Sequence, residues 1–549
     1  MEKLILVSSN NKKMKAKKSL IAYYSQIIVL LAFVFISFNT NAQRDELQDF
    51  DGANCTSIMV GKDASTDGSV MTSHTCDSWY RTWVRWEKAQ SYEKGDKHKV
   101  YKGTMNTQTP FDNRGLELAG EIPQASYTYA YLNTAYPCLN EKQLAIGETT
   151  FSGPDTLVNP EGLFMIEELE RIALQRCDNA RDAIKLIAEL IEEYGYADGG
   201  ECITIADPNE VWCMEIMGEG KKKKGGIWAA QRVPDGEVSV SANIPRIKYL
   251  NREDPDNFMC SDNIEKVAKK HGLWDGNGEF IWYKVFGNDY SNGKNFRERE
   301  WFILNALAPS LGLSMDDEDL PFSVKPEEKV DARKVMELLR STYEGTELDM
   351  TRNIKTINRN GDTIVSPLAN PWMGSSDISV YNFLSPGSVE FQRTVSVSWC
   401  SYSFVAQLRS WMPNEIGGIC WYSVENPGQS PRIPIFTGST QLPSCFNECG
   451  HGNYNEETIL WRYRKANKLA QIQWGYAKNI MINNVLRFEE KAMKEIPALE
   501  KELLTLLDEG KKEEAQKLMN KYTADFEAAA AQTWKNMEHH FWERFWVNF

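Results

Sequence analysis

The segment Asn54-Cys55-Thr56-Ser57-Ile58-Met59-Val60-Gly61 sets a cysteine at the head of an apolar, strand-like run, directly after a polar and acidic stretch. If the chain is cut before Cys55, one residue gains both parts of a nucleophilic catalyst. The thiol attacks, and the freed α-amine, with an ordinary pKa of about 7.7 to 8.0, serves as general base near neutral pH without a histidine. That economy suits a chain with only six histidines. Before the cut the same nitrogen is an amide and cannot act as a base. The Cys55 thiol can itself attack the Asn54 carbonyl, giving a thioester that water resolves. Residue type alone also fits a buried cysteine at the start of a strand.

The elements around Cys55 must deliver the other groups. Residues 56–60 and 69–73 are strand-like and flank the turn sequence 62–68, which is the grammar of a β-hairpin. A hairpin returns the residues past its second strand to the start of its first. His74 and Asp77, 19 and 22 residues beyond Cys55, therefore fall close to it. Strand alternation turns Cys76 away from the site. Further strand-like runs cover 98–101, 126–132 and 143–151. Residues 161–196 carry apolar side chains at helical spacing in two stretches, broken at 177–180 where Asp178 can cap the second. The runs 201–207, 210–217, 227–232 and 237–243 form an antiparallel meander, unlike the βαβ alternation of a parallel sheet. Helices are expected at 263–271, 297–306 and 331–343, and buried strands at 389–410 and 416–424. Residues 454–549 are almost wholly helical in pattern.

Composition narrows the function classes. The chain has 549 residues, 42 % of them hydrophobic, with 17 Trp, 22 Tyr and 23 Phe, which excludes a disordered protein. Five lysines between Lys12 and Lys18 precede an apolar run at 27–37, and 39–42 offers small residues for cleavage, so 1–42 is expected to be a signal peptide. A spanning helix needs about 20 apolar residues, more than this run supplies. Residues 1–42 hold six Lys and one Glu, so their removal takes the formal charge from −14 to −19. That acidity argues against nucleic acid and anionic membrane surfaces as partners. Eleven cysteines, an odd number, leave at least one thiol free in an exported chain. Most are expected to be buried thiols, with Cys202/Cys213 and Cys445/Cys449 spaced for local bridges. No spacing matches a zinc site.

Residues 55–77, CTSIMVGKDASTDGSVMTSHTCD, resemble the opening of the family C69 dipeptidases, cysteine-type N-terminal-nucleophile hydrolases. The resemblance continues through NEKQLAIGETT at 140–150, IADPNEVW at 205–212, MEI at 214–216, AQRVPD at 230–235, SANIPR at 241–246 and FVAQLRSWMPNEIGG at 404–418. It implies an α+β fold, the four-layer α/β/β/α sandwich of antiparallel sheets, and hydrolysis of dipeptides without a cofactor or metal. It also implies that Cys55 is nucleophile and base, that Asp77 orients it, and that Asn243 is an oxyanion donor, an interaction worth roughly 3 kcal/mol. Where many relatives read Arg-Asn-x-Asp, this chain has His74-Thr75-Cys76-Asp77, which makes His74 the candidate polar donor in place of the arginine. Glu148 and Arg246 lie in matched segments without an assigned role.

The resulting expectation is a self-processing dipeptidase, exported to the periplasm or secreted, with small peptides as its partners and a homo-oligomer left open. Its parts are a signal peptide (1–42), a propeptide (43–54), a catalytic domain (55–453) and a helical extension packed on it (454–549). The alternatives are a non-peptide amidase of the same fold, such as a penicillin or bile-salt acylase relative, and a periplasmic binding protein without enzymatic activity.

Overall fold

Two antiparallel sheets face one another and carry the chain's core. The computed structural model describes residues 54–548 apart from 113, 115, 222–223, 288–292 and 318. The expected signal peptide, and all of the expected propeptide except Asn54, lie outside these residues. The first sheet runs, in spatial order, Ser323–Val324, Val238–Ser241, Ser57–Val60, Val70–Cys76, Tyr402–Leu408, Ile419–Val424 and Ile433–Phe436. The expected hairpin is at its centre, with Val60 opposite Met71 and an isolated bridge joining Thr56 to Thr75. On its other side Ser57–Val60 pairs with Val238–Ser241, Ser57 opposite Ser241. That pairing places the residues just past Ser241 level with Cys55.

The second sheet has eight strands, and three of the four runs of the expected meander lie in it; the fourth, Val238–Ser241, crosses to the first sheet, where it pairs with Ser57–Val60. Glu201–Ala206, Val211–Gly218 and Gly226–Arg232 pair in sequence, and Ala145–Thr150 joins on the far side of Glu201–Ala206. Between the sheets, near Cys55, the contacts are small and polar. Thr72 Oγ1 meets Thr204 Oγ1 at 2.6 Å, Thr149 Oγ1 meets Ser241 Oγ at 2.5 Å, and Ser57 Oγ donates to the Glu148 carbonyl at 3.3 Å. Gly147 permits this approach, because a Cβ there would lie 2.5 Å from the Ser73 carbonyl oxygen and 2.7 Å from Thr204 Oγ1. Gly147→Ala must push the sheets apart. It is expected to destabilise the protein by about 1–3 kcal/mol, read as a lower midpoint in scanning calorimetry; an unchanged midpoint would show that the interface yields freely.

Helices close both outer faces. Ile166–Arg176 and Ala180–Tyr194 lie on the second sheet, burying Ala183, Ile184, Ile187 and Ile191. The cap of the second helix is Asn179, whose side chain accepts from the Asp182 amide at 2.9 Å, one residue later than the expected Asp178. The first sheet is covered by Lys294–Leu307 and Ala332–Leu339, and by the C-terminal helices Ile459–Ile472 and Lys512–Asn548. Thr523 Oγ1 donates to the Pro434 carbonyl at 2.8 Å, and Arg409 pairs with Glu500 of the Trp474–Asp508 helix at 2.6 Å, fastening the helical segment to the sheet region. This is the four-layer α/β/β/α arrangement. Among the described residues no helix is long and apolar enough to cross a membrane.

One expected strand is mostly something else. Of 389–410 only Tyr402–Leu408 joins the sheet, and the residues before it follow an irregular path. The alternation that suggested a strand is real, since Val395 and Val397 are fully buried. Here, however, backbone groups are satisfied away from any ladder: the Arg393 amide donates to the Glu298 carboxylate and the Ser396 amide to the Ser341 carbonyl.

Candidate active site

Cys55 is fully buried at the mouth of the hairpin. The next residue fixes its backbone: the Thr56 amide donates to Thr75 Oγ1 at 2.9 Å, and the Thr75 amide donates back to the Thr56 carbonyl at 3.0 Å. Thr75 Oγ1 then donates to Asp77 Oδ2 at 2.8 Å, so the cysteine's position is tied to Asp77 through one hydroxyl. The expected proximity of Asp77 is therefore realised as a short hydrogen-bonded relay.

Two buried arginines complete this side. Arg393, from the irregular segment before Tyr402, donates from Nη2 to Asp77 Oδ2 at 2.7 Å and to the Asn54 carbonyl at 2.8 Å. Arg299, from the Lys294–Leu307 helix, donates from Nη1 to the Cys55 carbonyl at 2.6 Å and to Thr56 Oγ1 at 3.0 Å. Its Nη2 reaches the Ala242 carbonyl and Asn243 Oδ1, both at 2.9 Å. Burial, with the Arg393 charge adding to it, lowers the Arg299 pKa to about 9, still cationic at neutral pH.

Asn243 follows the Val238–Ser241 strand with φ at 66°, in the left-handed region that asparagine tolerates better than most residues. Arg299 holds its Oδ1, and its Nδ2 donates to the Thr150 carbonyl at 2.5 Å. The amide thus bridges the two sheets beside the Cys55 backbone.

On the other side of the thiol stands Glu148. Cys55 Sγ donates to Glu148 Oε2 at 3.6 Å, Thr150 Oγ1 donates to Glu148 Oε1 at 3.0 Å, and the Glu148 backbone amide donates to His74 Nδ1 at 2.9 Å. Burial raises the pKa of both Glu148 and the neighbouring Glu201, so the two carboxyls titrate as a pair. Burial raises the Cys55 pKa well above its ordinary value, with the nearby Glu148 and Asp77 carboxylates adding, so the sulfur rests as a thiol.

His74 does not supply a charge. Burial drops its pKa to about 3, its Nδ1 is an acceptor, and its ring lies among Tyr136, Tyr402 and Phe404, with centroids 5.8 Å away. With Nδ1 accepting, the neutral ring carries its hydrogen on Nε2 and keeps an N–H to donate, while the guanidinium groups around the Cys55 backbone are those of Arg299 and Arg393. Arg246 is engaged elsewhere, paired with Glu300 and donating to the Pro321 carbonyl.

Cys55, His74 and Glu148 present atoms within 4.8 Å of one another, close enough by distance to share a cation. Within the group the thiol points at the Glu148 carboxylate and His74 Nδ1 takes the Glu148 amide, while His74 Nε2 has no hydrogen-bond partner among the described residues. The Cys202, Cys213 and Glu215 group is similar: the Glu215 carboxylate is taken by the Arg246 and Ile247 amides and by Trp282 Nε1. All eleven cysteines are free thiols, with Cys202 and Cys213 sulfurs 3.3 Å apart.

A buried thiol beside a carboxylate, with an anchored amide and two guanidinium groups around its backbone, is an arrangement for acyl transfer. The sequence matches the family model described as Peptidase family C69 over residues 54–485. The chain belongs to peptidase family C69. The match begins one residue ahead of Cys55 and ends within the Trp474–Asp508 helix, so the site described above lies inside it. As a member, the chain has the α+β fold of an N-terminal-nucleophile family. It is 25 % identical to a probable dipeptidase of Latilactobacillus sakei over 81 % of this chain and 87 % of that protein. It is 24 % identical to a probable dipeptidase of Salmonella dublin, covering 70 % and 81 %, and 22 % identical to dipeptidase A of Lactobacillus helveticus, covering 74 % and 80 %.

Proposed function

We propose that this C69 peptidase is an exported, self-processing dipeptidase that acts through a thioester on Cys55. The observation that carries the reading is Cys55 itself, buried at a strand start and hydrogen-bonded by its thiol to Glu148, with the family match opening at residue 54. Once residues before Cys55 are gone, its α-amine takes the thiol proton and the sulfur attacks the peptide carbonyl. Asp77 orients that amine. Its Oδ1 has no hydrogen bond among the described residues and is the acceptor an ammonium would take. Asn243, held by Arg299, is the oxyanion donor. The Glu148–Glu201 pair places negative charge beside the nucleophile, where the free amine of a dipeptide must sit when its own carbonyl is attacked.

Two measurements test this together. Intact mass of the purified, exported protein is expected to show a chain beginning at Cys55. That chain is expected to hydrolyse unblocked dipeptides at least about 10²-fold better, by kcat/KM, than their N-acetyl forms, because an acetyl group removes the charge and leaves the carboxylates without a partner. A mature chain that retains residues ahead of Cys55 and cleaves no dipeptide sinks the reading. Preference for penicillin V or a conjugated bile salt would move it to the acylases of the same fold.

A further inference from the structure

We infer that the uncut chain carries its own cleavage machinery, Glu148 as the base that takes the Cys55 thiol proton and Arg393 as the group that holds and polarises the Asn54 carbonyl. This rests on the proposed self-processing at Asn54–Cys55, and it answers a difficulty in that reading. While the Cys55 nitrogen is an amide, the nucleophile lacks the base that serves it afterwards, so another group must remove the thiol proton.

Glu148 is placed for this. Its Oε2 is the acceptor of the Sγ hydrogen bond at 3.6 Å, while Oε1 is steadied by Thr150 Oγ1. The other titratable neighbours are unsuited. His74 uses Nδ1 to accept the Glu148 amide, so Nε2 carries its hydrogen and the neutral ring has no acceptor to offer. Asp77 holds Thr75 and Arg393 with Oδ2, and although its Oδ1 is open, the carboxylate that accepts the Sγ hydrogen bond is that of Glu148. A carboxylate in this buried position is also a stronger base than one in water, as the raised pKa of Glu148 shows.

The electrophile is clamped independently. Arg393 Nη2 lies 2.8 Å from the Asn54 carbonyl oxygen, the distance of a charge-assisted hydrogen bond, and Asp77 fixes the guanidinium at 2.7 Å. The donor is therefore in place before negative charge develops on that oxygen.

The step balances with these groups alone. The thiol proton passes to Glu148 as sulfur bonds to the Asn54 carbonyl carbon, closing a five-membered ring through Cys55 Cβ, Cα and N. The carbonyl electron pair moves to oxygen against Arg393. Glu148 returns the proton to the nitrogen, the C–N bond breaks, and the products are an Asn54 thioester and the free amine of Cys55. Water then adds to the thioester, with that amine as base, and the C–S bond breaks to leave the Asn54 carboxylate and the thiol.

The full chain, made by cell-free translation and followed by intact mass over time, tests this. Wild type is expected to lose its leading residues at Cys55. Glu148→Gln is expected to slow the loss about 10²- to 10⁴-fold, and Arg393→Gln about 10²- to 10³-fold. Hydroxylamine, which cleaves thioesters, is expected to release no more product from either variant than from wild type, because both are blocked before the thioester forms. Glu148→Asp keeps a carboxylate near sulfur and is expected to fall between wild type and E148Q. Cutting at the wild-type rate in E148Q or R393Q, accumulation of a hydroxylamine-sensitive species, or equal rates in E148D and E148Q each overturns the assignment. A wild-type chain that is never cut fails the self-processing reading itself, a separate and recognisable result.

Discussion

Replacing Cys55 with alanine is expected to abolish dipeptide hydrolysis, by about 10⁴-fold or more in kcat, and to leave the bond after Asn54 intact. Both losses follow from one atom, since the sulfur is proposed as nucleophile for the chain's own cut and for every later substrate. The fold should survive, because the side chain that Sγ contacts, Glu148, keeps Thr150 as a partner for its carboxylate. Loss of a single buried sulfur therefore changes stability far less than activity. Cys55→Ser separates the two demands. A hydroxyl fits the space but is much harder to deprotonate, so the variant is expected to process and turn over slowly while melting near wild type. Steady-state kinetics on an unblocked dipeptide, with intact mass on the same sample, decides. If C55A retained more than about a hundredth of wild-type activity, the chemistry would have to move to another group.

The sequence made the antiparallel meander, the paired helices and the Cys55 hairpin legible, because each depends on local periodicity and turn residues. His74 and Asp77 followed from the hairpin, since strand return fixes what lies near a strand's start. Arg299 did not. It sits in Phe296-Arg297-Glu298-Arg299-Glu300, which resembles a solvated helix face, yet Glu298, Arg299 and Glu300 are all buried. There was a signal in that run. At 100° per residue, three successive charged side chains sweep about 200° of the helix surface, so they cannot all point to solvent on a helix that also packs against a sheet. Arg393 was hidden for a different reason, because its segment alternates like a strand while its backbone bonds go to Glu298 and Ser341. The partners of both arginines are distant in sequence: Arg393 meets Asp77 316 residues away, and Arg299 meets Cys55 244 residues away. No local pattern specifies such pairs. His74 shows the converse, a residue located by register whose state is decided by burial, which keeps the ring neutral and leaves it an N–H rather than a charge to offer.

Asp77→Asn is expected to lower stability and activity together, and its coupling to Arg393 separates the two effects. Asp77 Oδ2 receives both Arg393 Nη2 and Thr75 Oγ1, with the carboxylate fully buried and the arginine nearly so. Removing the charge strands a buried guanidinium, which typically costs about 3–5 kcal/mol, and it weakens the relay through Thr75 that sets the Thr56 amide. Activity is expected to fall by more than stability explains, because an amide at this position cannot counter the charge of the Cys55 α-ammonium. In the double variant D77N/R393M the stranded charge is gone. Its melting midpoint is expected to rise above that of D77N, while dipeptide turnover stays low. A cycle in which the two substitutions destabilise additively would show that the 2.7 Å pair contributes no coupling. Recovery of turnover along with stability would place Asp77 in the scaffold alone, leaving the proposed ammonium without its acceptor.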